Sequence, residues 1–315
     1  MRHRFAFLLI ASCSSLILVG LAACSASSDG PAKLPLIEGG SKTKDSAQPP
    51  ELDSSDPIPD ASSGPGRVYA HTTDTLYLYE PVAGELTKIA KFSCLLAGEA
   101  VIDYAVDRTG TTFATTFKRF LSVDPITATC TEIGKSAVAD NYPNSLSFVP
   151  AGTVDATKEV LVGYAALGGH ANSIDYVSID TASGKMTKIG DMNPAGAAKR
   201  YHASGDIIAL IRDGNRAYAT VKLEADDAGT PTGTDLLAEI DPKSGNVKRI
   251  IGDTKQNNIF GFGYWAGKGY AFCDNGVIAS VDMSNGSSVV LKTLTVDGGP
   301  ASWYGAGITT QAPTQ

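Results

Sequence analysis

Apolar and polar positions alternate in short stretches from about residue 67 to the end of the chain, and one such stretch recurs five times. Each copy ends in an acidic residue followed by a turn. Counting back from the acid, the first and third positions are apolar in all five copies, and the second is polar in four of them. A period of two predicts a β-strand. The five copies end at Glu80, Asp124, Asp180, Asp241 and Asp282.

Two further strand signals accompany each copy in a fixed order. After each turn comes an apolar pair, seen as Leu86/Ile89, Cys130/Ile133, Met186/Ile189, Val247/Ile250 and Val289/Val290. Before each copy comes an aromatic residue followed by alanine, at Tyr69-Ala70, Phe113-Ala114, Tyr164-Ala165, Tyr218-Ala219 and Tyr270-Ala271. The recurrence of these marks at similar spacing predicts an internal structural repeat.

A fourth strand is expected ahead of each aromatic–alanine pair. Candidates lie at 101–106, 145–149, 207–211 and 259–264, but the first repeat has none. The end of the chain has one to spare, at 303–308. We therefore predict an all-β fold, a five-bladed β-propeller over residues 67–315, in which the C-terminal strand completes the first blade. A closed ring of four-stranded antiparallel sheets leaves few exposed strand edges.

The first 23 residues have the layout of an export signal, with basic residues at Arg2 and Arg4 and then an uncharged apolar stretch. The stretch ends in Leu21-Ala22-Ala23-Cys24, which resembles the lipobox of bacterial lipoproteins. That resemblance implies cleavage before Cys24, lipid on its thiol, and location in the cell envelope. An ordinary secretory signal or an uncleaved spanning helix are the alternatives. Ser25 replaces the aspartate that retains related lipoproteins at the inner membrane, which favours the outer membrane in a host with two.

Residues 24–66 are predicted to form a lipidated, disordered tether. Positions 25–66 contain no Phe, Tyr or Trp and seven of the sixteen prolines, so they cannot bury enough apolar surface to offset the entropy of ordering. Without residues 1–23 the chain has 24 basic and 33 acidic residues, a net charge of −9. This charge disfavours nucleic acid as a partner.

Three cysteines fall in the predicted propeller. Cys94 and Cys130 flank the junction of the first two blades, and a disulfide between them would close a loop of about 37 residues. Against that, Cys130 occupies an apolar position of the repeat, where a buried free thiol also fits. The pairing stays open at this point, as does the state of Cys273.

The repeat resembles those of quinoprotein-like and YVTN-like bacterial propellers, which carry a strand ending in Asp-Pro and a Thr-Gly turn. The resemblance covers residues 67 to about 310 at the level of single repeats. The tryptophan-docking signature of quinone-binding propellers is missing, because the chain has only Trp265 and Trp303. We therefore expect no quinone and no other cofactor.

No catalytic or metal-binding set emerges from the sequence. The recurring aspartates could be calcium ligands, but Asp at the start of a turn more simply accepts backbone N–H groups. The late histidines, His71, His170 and His202, have no partner at metal-ligand spacing. The candidate inner strands supply only Asp103 and Asp206 as carboxylates that could act as a pair on a glycosidic bond.

Insertions point to a binding face. Two blades exceed the minimum length of the repeat, at 166–173 and 224–234, and both insertions project from one end of the ring together with the link 191–202. The predicted binding residues are His170, Asn172, Arg200, Tyr201, His202, Asp226 and Asp227. The sequence thus favours a non-enzymatic binding or scaffold module for a protein or glycan. The alternatives are a propeller glycoside hydrolase or lyase acting on polysaccharide, and an assembly factor for outer-membrane proteins.

Overall fold

A computed structural model describes residues 67–169, 172–225, 231–296 and 299–315. Within these ranges the chain forms β-strands and one short 3₁₀ helix, Ile211–Asp213. Twenty of the strands make five antiparallel four-stranded sheets, and two more pair as a small ribbon. The innermost strands of successive sheets contact each other all the way round. The prediction of an all-β, five-bladed propeller is confirmed.

Each blade has its first strand nearest the axis of the ring and its fourth strand at the outer edge. From the axis outward, blade 1 contains β22 (Gly305–Gly307), β1 (Val68–His71), β2 (Thr75–Glu80) and β3 (Glu85–Lys91). Blade 2 contains β4 (Asp103–Val106), β5 (Thr112–Thr115), β6 (Arg119–Val123) and β7 (Cys130–Lys135). Blade 3 contains β8 (Ser147–Val149), β9 (Val160–Ala165), β10 (Asp175–Ile179) and β11 (Met186–Asp191).

Blade 4 has the longest strands. It contains β12 (Tyr201–Leu210), β13 (Arg216–Glu224), β14 (Pro231–Ile240) and β15 (Val247–Asp253). Blade 5 contains β16 (Ile259–Trp265), β17 (Lys268–Cys273), β18 (Val277–Asp282) and β19 (Ser288–Thr293). The ribbon of β20 (Thr295–Val296) and β21 (Gly299–Pro300) leads from blade 5 back to β22.

The C-terminal strand closes the ring as predicted. β22 pairs antiparallel with β1, with Ala306 opposite Ala70 and Gly305 opposite His71. The N-terminal blade therefore owes its innermost strand to the end of the chain. With β2 on one side and β22 on the other, β1 has a partner along both of its edges, and every blade has four strands.

The two ends of the ring differ in their connections. One end, which we call the link face, carries the second-to-third connections and the links between blades; it includes 72–74, 92–102, 116–118, 136–146, 192–200, 254–258 and 274–276. The opposite end, the turn face, carries the first-to-second and third-to-fourth connections; it includes 81–84, 107–111, 124–129, 180–185, 211–215, 241–246 and 283–287.

The recurring aspartates are turn residues. Asp124 Oδ1 accepts the N–H groups of Ile126 and Thr127 at 2.8 and 2.9 Å. Asp282 Oδ1 accepts the N–H of Ser284 at 2.8 Å. Their carboxylates therefore satisfy the backbone of the turn, which is the role that the turn interpretation predicts. Among the described residues, no group of three or more His, Cys, Asp or Glu side chains is arranged to hold a metal ion.

Neighbouring blades meet at glycines on their outermost strands. Gly190 lies on β11 beside a β-bulge, and a Cβ there would overlap the carbonyl oxygen of Ser244 in the turn of blade 4. Gly252 stands in the same relation to Asn285 in the turn of blade 5. Only glycine permits such a close approach of two backbones. We call the turn that follows the acidic residue of each repeat the acid turn. The acid turn of one blade is thus packed against the outermost strand of the blade before it.

Candidate functional site

Two inner strands place a carboxyl group on the axis of the ring. Asp103 is the first residue of β4, and Asp206 lies in β12 at the bulge between Ala203 and Ile207. Both residues are 0% exposed. Their carboxyl groups come together at the axis, close enough for each to shift the pKa of the other, although they come from blades 2 and 4. The two carboxylates that the inner strands supply therefore converge.

The remaining oxygen contacts of this pair go to backbone amides. Asp206 Oδ2 accepts the N–H of Phe262 on β16 at 2.8 Å and the N–H of Ala306 on β22 at 2.6 Å. Asp103 accepts the N–H of Tyr104 at 2.6 Å and that of Leu146, next to β8. Between them, the two carboxyl groups connect the inner strands of all five blades.

Glycine provides the space for this pair. A Cβ at Gly305 would lie 2.9 Å from Asp103 Oδ1 and would also meet Nε2 of the buried His71. Burial is the main cause that raises the pKa of both Asp103 and Asp206 well above the usual range. Two carboxylates in contact repel, so the raised pKa values favour a pair in which at least one carboxyl group is protonated.

The axial pair is closed to solvent. Residues 308–315 cross the turn face, where Thr310 O accepts the N–H of Ile211 at 3.1 Å and Pro313 O accepts the N–H of Ala266 at 2.8 Å. Glycoside cleavage needs two carboxyl groups about 5–10 Å apart with a sugar between them. Asp103 and Asp206 instead bind each other and the backbone. The pair acts as a clamp on the inner strands, and a hydrolase is not favoured.

The structure brings part of the predicted binding face together. His170, Asp226 and Asp227 lie outside the described residues. Arg200 is the last residue of a link, while Tyr201 and His202 already belong to β12 and not to the link. They sit on the link face of blade 4. Asn172 precedes β10 on the link face of blade 3.

Blade 4 extends toward the link face as an ordered sheet. Tyr201 pairs with Leu223 and His202 with Lys222, while Leu223 pairs with Thr232. The strands β12, β13 and β14 are therefore longer than their counterparts in other blades, and part of the inserted segment is paired strand and not loop. The sequence pattern missed this because Ser204-Gly205-Asp206 interrupts the apolar alternation at the bulge.

Side chains in this extension are largely held by the protein itself. Arg200 Nε donates to Glu224 Oε2 at 3.0 Å. Asn193 bonds both the N–H and the carbonyl of Tyr201, at 2.7 and 2.8 Å. His202 is 8% exposed, and burial lowers its pKa despite the opposing charge of Glu224. Strand pairing and side-chain hydrogen bonds therefore hold the extension, and its histidine is a buried residue.

The link face of blade 2 carries exposed apolar side chains that the sequence analysis did not single out. Leu96 is 64% exposed, Phe117 55% and Val138 97%. They come from three different connections of that blade. The sequence contains one indication of this apolar surface, because Phe117 interrupts a polar connection between two strands.

Buried ionic contacts fix these connections. Arg119 Nη1 lies 2.5 Å from Glu99 Oε2, and Glu99 also accepts the N–H of Leu96 and the hydroxyl of Thr116, at 3.1 and 2.8 Å. Burial raises the pKa of Glu99, but these hydrogen bonds and the charge of Arg119 outweigh it and lower the pKa. Lys118 Nζ donates to the carbonyl of Val138 at 3.1 Å. The apolar side chains are therefore presented on a fixed backbone.

A disulfide joins Cys94 to Cys130, with a Cα–Cα distance of 5.4 Å, and ties the link between blades 1 and 2 to β7. Cys273 is a buried free thiol at the end of β17. Burial, followed by the charges of Asp235 and Asp274, raises its pKa to about 12. Because the thiolate is the reactive form, Cys273 is a packing residue.

No protein-family profile matches the chain, and no curated protein matches it. Among solved structures, a protein of unknown function from Bacteroides caccae is 10% identical with a TM-score of 0.37, covering 74% of each chain. U3-55K is 12% identical with a TM-score of 0.34, covering 75% of this chain and 65% of its own. Regucalcin, a calcium-binding protein from Agrobacterium tumefaciens, is 12% identical with a TM-score of 0.36, covering 68% and 65%.

The strand pairing of this chain defines its class by itself. It is a five-bladed β-propeller closed by its own C-terminal strand. Within the described ranges, no helix is long and apolar enough to cross a membrane.

Proposed function

We propose that this chain is an envelope-anchored lipoprotein whose propeller is a non-enzymatic binding module for a protein, with the link face as its contact surface. The observation that carries the proposal is the set of exposed apolar side chains Leu96, Phe117 and Val138 on the link face of blade 2. Protein interfaces concentrate their binding energy in a few aromatic and apolar anchors surrounded by polar residues.

The rest of the link face suits such a contact. The extension of blade 4 presents Arg200 and Tyr201 on paired strands, and the bonds of Glu99 and Arg119 hold the connections of blade 2. A surface ordered before binding loses less conformational entropy when the partner arrives. Apolar anchors on blade 2 and polar side chains on blades 3 and 4 would then form the centre and rim of one interface.

The anchor part of the proposal rests on the lipobox. Cys24 lies outside the described residues, as do the whole export signal and the tether. The chain enters the propeller at Val68, the first residue of β1, which starts at the turn face. A tether joined there would leave the link face open to a partner in the envelope. Outer-membrane location remains part of the proposal, on the ground of Ser25.

The binding surface is tested with photo-crosslinking in intact cells. A benzoylphenylalanine replaces Phe117 on the link face or Val82 on the turn face, which is 80% exposed. We expect one discrete protein adduct from position 117, abolished by Val138→Ser, and none from position 82. No adduct at position 117, or an adduct that survives Val138→Ser, would refute the link face as the contact surface.

The anchor is tested separately. Cys24→Ser should leave the precursor without lipid and move the protein out of the membrane fraction. A wild-type N-terminal peptide without acyl mass would refute the anchor and leave the binding proposal standing.

A further inference from the structure

A cleft of about 640 Å³ opens on the turn face between blades 4 and 5. Its blade 4 wall contains Arg212, Arg216 and Arg249. Its other wall comes from the acid turn of blade 5, with Ser284, and from Thr314 near the end of the chain. Three arginines in one cleft contrast with a chain whose net charge is −7.

Two of these arginines are oriented by neighbouring carboxylates. Arg216 Nη2 lies 2.5 Å from Asp213 Oδ1, and the Tyr218 hydroxyl donates to the other oxygen of Asp213 at 2.5 Å. Arg249 lies 2.8 Å from Glu239, a carboxylate that also has Lys248 Nζ at 3.2 Å. Glu239 thus faces two cations, which leaves an uncompensated positive charge beside the cleft.

The third arginine is free. Arg212 is exposed and has no hydrogen bond or ion pair with any residue that the structure describes. The other acid in the cleft, Asp282, does not neutralise it. Asp282 Oδ1 accepts the N–H and hydroxyl of Ser284 at 2.8 and 2.6 Å, and Oδ2 accepts the amide of Asn285 at 3.1 Å. The side-chain carboxylates of Asp213 and Asp282 are therefore engaged, while the paired N–H donors of the Arg212 guanidinium are available.

We propose that this cleft binds an acidic saccharide, with the sugar carboxylate on Arg212. A guanidinium presents paired N–H donors that match the two oxygens of a carboxylate. Lys248 and Arg249 share the single carboxylate of Glu239 and so add positive potential. The Ser284 hydroxyl oxygen can accept a hydrogen bond from a sugar hydroxyl, and the Thr314 hydroxyl can donate one. The volume lies within the range of ligand pockets, about 300–1,000 Å³, and is far larger than an inorganic anion needs.

This proposal is independent of the protein contact proposed above. The cleft lies on the turn face and shares no residue with Leu96, Phe117 or Val138 on the link face. One proposal can fail while the other stands.

Calorimetric titration of the full-length protein with trigalacturonate at low salt tests the cleft. Arg212→Gln should raise the Kd at least ~10-fold, because a charge-assisted bidentate contact is lost. Arg212→Lys, which keeps the charge and loses the fork, should fall between. Arg108→Gln is the matched control, since Arg108 is an exposed arginine on the turn face between blades 2 and 3. It should leave the Kd unchanged.

Two further ligands show whether the carboxylate, the sugar, or both are needed for binding. Maltotriose, a neutral trisaccharide, should not bind, and inorganic phosphate should bind far more weakly than trigalacturonate. The proposal is overturned if trigalacturonate does not bind, if it binds Arg212→Gln as tightly as wild type, or if maltotriose binds equally well. Phosphate binding as tight as that of trigalacturonate would identify a general oxyanion site and overturn the saccharide assignment.

Discussion

The clamp on the axis predicts a large difference between two substitutions at one position. Asp206→Ala removes the acceptor of two buried N–H groups, those of Phe262 and Ala306. Asp206→Asn keeps an oxygen for both, and its amide can donate to Asp103. The variants therefore separate the loss of an acceptor from the loss of a carboxyl group.

The magnitude follows from the hydrogen bonds. Each buried donor left without a partner costs about 1–3 kcal/mol, so Asp206→Ala, which leaves two, should lose about 2–6 kcal/mol of unfolding free energy. Domains are stable by about 5–15 kcal/mol, and in a domain of this size each kcal/mol corresponds to about 2–4 °C in Tm. Asp206→Ala should accordingly melt about 4–24 °C below wild type, while Asp206→Asn stays near it.

Melting followed by far-ultraviolet circular dichroism at pH 6 measures both variants. An Asp206→Ala protein that melts like wild type would show that the two amides find other partners. If Asp206→Asn loses as much stability as Asp206→Ala, the acceptor geometry is not what matters. Either result refutes the clamp.

The same pair sets a pH dependence of known sign. The folded state raises the pKa of Asp103 and Asp206, mainly by burial. A raised carboxyl pKa gives stability that is present in acid and is lost as the pH rises through the folded-state pKa. Wild type should therefore lose unfolding free energy as the pH rises above about 4, where the carboxyl groups of the unfolded chain ionise, up to the folded-state pKa of the pair. Asp206→Asn should show a shallower loss, since its amide carries no charge at any of these pH values.

Three other substitutions test other contacts, each by melting or urea unfolding against wild type. Replacing Cys94 and Cys130 together with serine should cost about 4 kcal/mol by the chain-entropy account, and an unchanged melting temperature would contradict that account. Gly190→Ala should cost more than about 2 kcal/mol, because its Cβ would overlap Ser244 O, and a fully stable variant would show that the two blades can separate there. Burial lowers the pKa of His71 from 6.5 to about 4, so about 3 kcal/mol should be lost as the pH falls from 6.5 through 4, and His71→Gln should remove that loss.

The architecture could be predicted because it is repeated. Five acid turns and five aromatic–alanine pairs each give a weak local signal, and their common order is what indicates the ring. The alanines of those pairs, such as Ala70 and Ala114, are fully buried, which explains why a small residue recurs. The C-terminal closure was visible as one strand missing at the start and one in excess at the end.

The axial pair could not be predicted in the same way. Asp103 and Asp206 stand in different blades, and nothing local to either residue indicates the other. Their contact depends on the closed ring and on the space left by Gly305. The bulge at Asp206 also prevented the sequence pattern from indicating the first half of β12, because the polar residues of the bulge break the period of two.

The glycines on the outermost strands of the blades could have been identified from the sequence. Gly134, Gly190 and Gly252 each follow an isoleucine near the end of the outermost strand. Their role appears only when the neighbouring turn is in place. The exposed Phe117 was likewise readable, but its exposure depends on how the connection folds back over Thr116 and Arg119.

Closure by the last strand imposes an order on folding. The edge of β1 that faces the axis has no partner until Gly305–Gly307 pairs with it. The hairpins of blades 2 to 5 join neighbouring segments and can form independently, whereas this pairing connects the two ends of the propeller. Until it forms, the folding chain holds an open strand edge, a site for wrong pairing with other chains. The ring therefore closes only after residues 305–307 have reached β1, and a chain that stops before residue 305 has no closed ring.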